Sequence, residues 1–173
     1  SSANGQQEGQ AFRRALPGYT YQFPADHAAH PEFRTEWWYY TGHLTTEKGR
    51  NFGFQLTIFR HALRPPLTES PSRSSMHTLY FIHFAITDEK GDTYRFQEKV
   101  SRGALDMAGA DPETYHVWVQ DWEVQLQKKI HRLKAGKEDM GIDLTLVPAK
   151  GVVIHGINGV SQKAMGKGYA SHY

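Results

Sequence analysis

The run Arg34-Thr35-Glu36-Trp37-Trp38-Tyr39-Tyr40-Thr41-Gly42-His43-Leu44 restricts the fold more tightly than any other stretch of the chain. Aromatic and β-branched residues favour strands, and a strand sends alternate side chains to opposite faces. One face then carries Thr35, Trp37, Tyr39, Thr41 and His43, and the other Glu36, Trp38, Tyr40, Gly42 and Leu44. Large rings on both sides exclude a strand with one plain solvent face. One side belongs to a core and the other to an interior lining or an interface.

The same period recurs downstream. Asn51–His61 sets Phe52, Phe54, Leu56 and Ile58 against Gly53, Gln55, Thr57, Phe59 and His61. Met76–Thr87 sets Tyr80, Ile82, Phe84 and Ile86 against Leu79, Phe81, His83 and Ala85. A more polar strand follows at Thr93–Ser101, then Tyr115–Val119, Trp122–Arg132 read as one strand, Gly141–Pro148 and Gly151–His155. Glu47-Lys48-Gly49 and Asp88–Asp92 read as hairpin turns. Residues 134–139 turn the chain, residues 103–113 are small and irregular, and residues 63–75 form a Pro- and Ser-rich loop of the length that serves as a lid or binding loop. No amphipathic helix of ten residues is convincing. About eight strands joined by hairpin turns predict an all-β antiparallel sandwich or barrel.

Size and charge narrow the function classes. The chain has 173 residues, which suits one domain with its own core. We expect a flexible N-terminal tail over 1–18, a barrel domain over 19–155 and a linker over 156–173. There is no Cys, so no disulfide framework, thiolate metal site or thiol nucleophile exists. A net charge of +2 with scattered basic residues is no nucleic-acid footprint. No apolar run reaches the length of a membrane span, and the opening residues show no signal-peptide pattern.

Four constellations could carry chemistry. Three of the ten His, His27, His43 and His83, could hold zinc if they converge, but the sequence has no His-Glu-x-x-His and predicts no metal site or cofactor. Glu36, Asp26, Asp121 and His83 could do acid–base work, because a carboxylate flanked by Trp is raised by desolvation. Glu36 can equally pair with Arg34 or Arg60 and only hold strand geometry. Ser161 and Lys163 could form a nucleophile pair, although Asn158-Gly159 is first a turn signal. Finally, the aromatic inventory suits either a packed core or an apolar pocket with a few placed polar groups.

The run Phe23-Pro24-Ala25-Asp26-His27-Ala28-Ala29-His30-Pro31-Glu32-Phe33-Arg34-Thr35-Glu36-Trp37-Trp38-Tyr39 resembles the opening motif of the carotenoid 1,2-hydratase-like (AttH/CrtC-like) family. Phe54–Arg60, Ile82–Asp88, Asn158–Lys163 and Ala170-Ser171-His172-Tyr173 continue the likeness. The resemblance implies a lipocalin-like antiparallel β-barrel that forms the first half of a tandem, with a second lipocalin-like domain as its partner. It also implies a hydrophobic, isoprenoid or lipid-like ligand, hydratase chemistry in the complete protein, and a periplasmic or secreted location. On that reading Glu36 or Asp121 donates a proton and His83 orients water. Trp37, Trp38, Tyr39, Gln55, Phe59, Tyr80 and Trp122 line the ligand. Two alternatives remain: a secreted metal- or Ser-dependent hydrolase, and a structural domain that supports its partner.

Overall fold

A computed structural model describes residues 11–16, 19–66 and 75–151, together with the backbone of two later strands, 160–164 and 167–171. Four strands form a first antiparallel sheet: β1 (Thr35–Thr45), β2 (Asn51–Ala62), β3 (Thr78–Asp88) and β4 (Thr93–Arg102), in that spatial order. Five more form a second: β5 (Ala108–Ala110), β6 (His116–Val119), β7 (Trp122–Gln127), β8 (Ile130–Lys137) and β9 (Met140–Leu146), again in sequence order. A separate hairpin pairs β10 (Val160–Ala164) with β11 (Lys167–Ser171). Residues 152–155 of the expected strand at 151–155 and the side chains of Ser161 and Lys163 lie outside the described residues, as do residues 67–74 of the Pro/Ser-rich loop.

The all-β antiparallel architecture expected from the alternation is present. Among the described residues no ladder joins the two sheets, so the lipocalin-like fold takes the form of a sandwich. Its core is built from the even-numbered face of the first sheet. Trp38, Phe54, Leu56, Ile58, Tyr80, Ile82 and Phe84 pack against Val117, Val119, Trp122, Val124, Leu133, Ala135, Met140 and Ile142. Trp122 meets Phe84 edge-on across the sheets, and its indole N–H donates to the Gly136 carbonyl at 3.0 Å. Side chains of β4 bridge the flank that no ladder closes: Arg95 pairs with Asp139 at 2.8 Å, and Gln97 donates to the Lys137 carbonyl at 3.3 Å.

Two sequence expectations change. Trp122–Arg132 is not one strand; it turns at Lys128-Lys129, both left-handed with φ of 51° and 81°, and β8 then runs on to Lys137 where a turn was expected. A two-residue hairpin needs that handedness, and Gly or Asn usually signals it, so two lysines hid it. The irregular stretch 103–113 contains a 3-10 turn at Ala104–Asp106 and the short edge strand β5.

The segment before β1 is tied down by polar contacts. Arg13 N–H donates to the Glu32 carbonyl at 2.9 Å, and the Arg34 guanidinium lies 4.8 Å over the Phe12 ring. A 3-10 turn at Ala25–His27 follows.

Candidate functional site

Of the ten residues singled out from sequence, eight divide between the two faces of the first sheet, and Asp121 and Trp122 belong to the second. The register decides the division, because cross-strand partners share a face. Trp37, Phe59, Phe81 and Val100 form one row across all four strands on the outer face. The next row is Tyr39, Thr57, His83 and Glu98, and the next Thr41, Gln55, Ala85 and Phe96. Trp37, Tyr39, Gln55, Phe59 and His83 are therefore brought together. Phe81, Phe96 and Val100 complete the patch, with Tyr94 one row further on.

This outer face is not a core. Trp37 is 41% exposed, Phe59 43%, Phe81 40%, Val100 55% and Phe96 56%. At a strand spacing of about 4.8 Å, the Trp37–Val100 row runs for roughly 14 Å. Polar groups are interspersed with the rings, since Thr41, Gln55, Thr57, His83 and Glu98 share the second and third rows: Gln55 donates to the Tyr39 hydroxyl at 3.2 Å, and the His83 ring stacks on Phe96 at 5.5 Å with Glu98 opposite it in register. An exposed apolar row of this length is a candidate interaction surface.

Trp38, Tyr80 and Trp122 lie instead in the buried core. Asp121 sits in the β6–β7 turn, where its carboxylate pairs with Lys99 and is thereby held below the usual range. The Lys99 ammonium also lies 4.7 Å over the Trp122 ring.

Glu36 occupies the inner face, in a chain of charges reaching back to Tyr19. Its Oε2 accepts from Arg60 Nε at 2.8 Å, and its Oε1 accepts from the His30 backbone N–H at 2.8 Å and lies 3.0 Å from His30 Nδ1. His30 Nε2 lies 3.1 Å from Asp26 Oδ1, which also accepts from the Tyr19 hydroxyl at 2.8 Å. Arg60, 4% exposed, donates further to the carbonyls of His30 and Phe33 at 3.0 and 2.7 Å. The Glu36 hydrogen bond raises His30 to about 9, against the opposing effect of burial, with Asp26 assisting. Burial pushes the Asp26 carboxyl up, but donors from Gln22, Tyr19 and His30 outweigh it and leave it lowered. Both carboxylates, both His30 ring nitrogens and Arg60 Nε and Nη2 are engaged within the protein, so this chain fastens the 19–33 segment to β1 and β2. Glu36, His83 and Asp121 thus stand at three separate places.

A further group escaped the sequence reading. The Tyr115 and Tyr40 hydroxyls lie 2.5 Å apart, and Tyr40 is 3.0 Å from His131 Nδ1 on the opposite sheet. The His27 ring approaches His131 at 5.8 Å and Tyr115 at 5.9 Å. Burial raises Tyr40, although the Tyr115 hydrogen bond opposes the rise. Burial lowers His131, and burial with the nearby His131 charge lowers His27. The only available sequence signal was Tyr40 sharing a face with Trp38.

Among the described residues, no three His, Asp or Glu side chains are grouped to hold a metal ion. His27 belongs to the inner group just described. His43 is at the far end of the outer face beside Glu89, and His83 lies two rows from it. Among the described residues no helix is long and apolar enough to cross a membrane.

The family model described as AttH-like matches residues 14–173. No curated protein matches the chain. The solved structure of an AttH candidate from Nitrosomonas europaea is similar, with a TM-score of 0.74 and 30% sequence identity over 88% of this chain. The chain spans 45% of the length of that neighbour.

Proposed function

The chain belongs to the AttH-like family, and from that premise we propose that it contributes the aromatic wall of a binding site for an elongated apolar small molecule, isoprenoid or lipid-like. The observation that carries this reading is the exposed row Trp37–Phe59–Phe81–Val100 with Tyr39 and Phe96 beside it. Flat rings presented side by side suit an extended chain, and the polar groups interspersed among them suit orientation of a ligand. The neighbour's greater length supports a second wall supplied by further chain of a longer protein, as a second lipocalin-like domain would supply it.

In that complete site the fitting chemistry is hydration of an isoprenoid double bond. Glu98, as the acid, gives a proton to one alkene carbon, and the rings shield the cation at the other. Water adds to the cation while His83 takes the proton that the water loses, and His83 returns that proton to Glu98, its register partner, which restores both groups. The sum is one water across one double bond. Glu98 takes the donor role because it shares a face with His83 and the aromatic row.

Parinaric acid, a polyene whose fluorescence rises when it leaves water, tests the binding. The wild-type protein should bind it, and Phe81→Asp should weaken binding by about tenfold or more, since a carboxylate would be desolvated under the ligand. Thermal unfolding checks that the variant is folded. Equal binding by wild type and Phe81→Asp would refute the assignment of this face. Binding only by a longer protein would mean that the opposing wall is required.

A further inference from the structure

The end of the sandwich where β1 finishes and β8 begins carries a constellation that the outer face does not use. There the inner faces of both sheets continue as apolar positions only partly covered: Leu44, Phe52 and Ile86 on the first, Leu126, Leu144 and Leu146 on the second. His131 interrupts them, paired in register with Leu126 on one side and Leu146 on the other. Its Nδ1 is engaged by Tyr40, which is engaged by Tyr115. Its Nε2 has no hydrogen-bond partner among the described residues. The residue is only partly buried.

We propose that His131 Nε2, backed by the Tyr40–Tyr115 hydroxyl pair, anchors the neutral oxygen of an alcohol or ketone whose apolar tail lies between the partly covered ends of the two sheets. The chain of three groups has two equivalent settings. In one, Tyr115 donates to Tyr40, Tyr40 donates to Nδ1, and the Nε2–H donates to a carbonyl oxygen. In the other, a ligand hydroxyl donates to Nε2, the Nδ1–H donates to Tyr40, and Tyr40 donates to Tyr115. Both settings satisfy His131 and Tyr40, because a neutral imidazole is donor at one nitrogen and acceptor at the other and a phenol is both. Burial keeps the ring neutral, which this exchange requires. A charged headgroup has no counter-charge in the trio. Apolar surroundings with one convergent polar anchor are the usual form of a small-molecule site. The site is on the inner side of β1, across the sheet from the aromatic row, and does not rest on the function proposed above.

Imidazole-detected nitrogen NMR of the labelled protein, titrated with octanol, methyl hexyl ketone and octane, tests this. Octanol and the ketone should both move the His131 Nε2 resonance and bind about tenfold more tightly than octane, the worth of one hydrogen bond in a partly buried site. His131→Leu keeps an apolar side chain in the row and should reduce octanol to the affinity of octane. Octanol binding no tighter than octane, a His131 resonance that octanol leaves in place, or unchanged octanol affinity in a folded His131→Leu protein would each overturn the proposal.

Discussion

His30 makes the stability of this protein depend on pH in a window of its own. Its two ring nitrogens face two carboxylates, Glu36 at 3.0 Å and Asp26 at 3.1 Å, so both carry protons in the folded state. The Glu36 hydrogen bond chiefly sets its folded value of about 9, against 6.5 for the free side chain. A group whose folded value is raised binds its proton more tightly on folding. Its contribution is complete below pH 6.5 and is lost as the pH climbs through about 9. A rise of that size corresponds to about 3 kcal/mol, a large part of the total stability of a small domain. His27 and His131 are lowered by burial, so their effect falls below pH 6.5 and has the opposite slope. Asp26, held below its ordinary value, stays ionised throughout the window. Urea unfolding at a series of pH values from about 6 to about 9.5 should show wild-type stability falling by about 3 kcal/mol, while His30→Gln should be nearly flat. A wild-type profile without slope between pH 6.5 and 9, or the same slope in His30→Gln, would refute the reasoning.

Two other outcomes are expected. Gly136 has φ of +112°, and a Cβ there would lie 2.2 Å from the Gly141 Cα, so Gly136→Ala should cost at least about 1 kcal/mol in chemical unfolding through strain on the β8–β9 hairpin. In a longer protein that performs the hydration proposed above, Glu98→Gln should abolish turnover while leaving parinaric acid bound; full turnover by that variant, measured by product analysis, would remove Glu98 from the chemistry.

Much of the sheet structure was legible because its causes are local. The period of two over Arg34–Leu44, Asn51–His61 and Met76–Thr87 predicted β1 to β3 to within two residues at each end and sorted their side chains correctly into two sets. Glu47-Lys48-Gly49 marked the first hairpin, where Gly49 has φ of +75°. Lys128-Lys129 defeated the same logic. Its left-handed turn is imposed by pairing of β7 with β8 rather than by the residues in it. The grouping of Glu36 with the aromatic residues also reflected proximity along the chain. Glu36 and Trp37 are neighbours in sequence and point to opposite sides of a sheet.

The sequence by itself determined that β1 has two aromatic faces and that antiparallel hairpins follow it. Only the tertiary structure decided which face is inside. The second sheet lays Val117, Trp122, Val124 and Leu133 on the even-numbered side, which turns Trp38 inward and leaves Trp37, Tyr39 and Phe59 on the surface. It also decided what Glu36 and Tyr40 do. Arg60 is 24 residues from Glu36, Tyr115 is 75 from Tyr40, and His131 is 91. Contacts at such separations leave no period or spacing in the chain, since packing of the two sheets creates them and local preference does not.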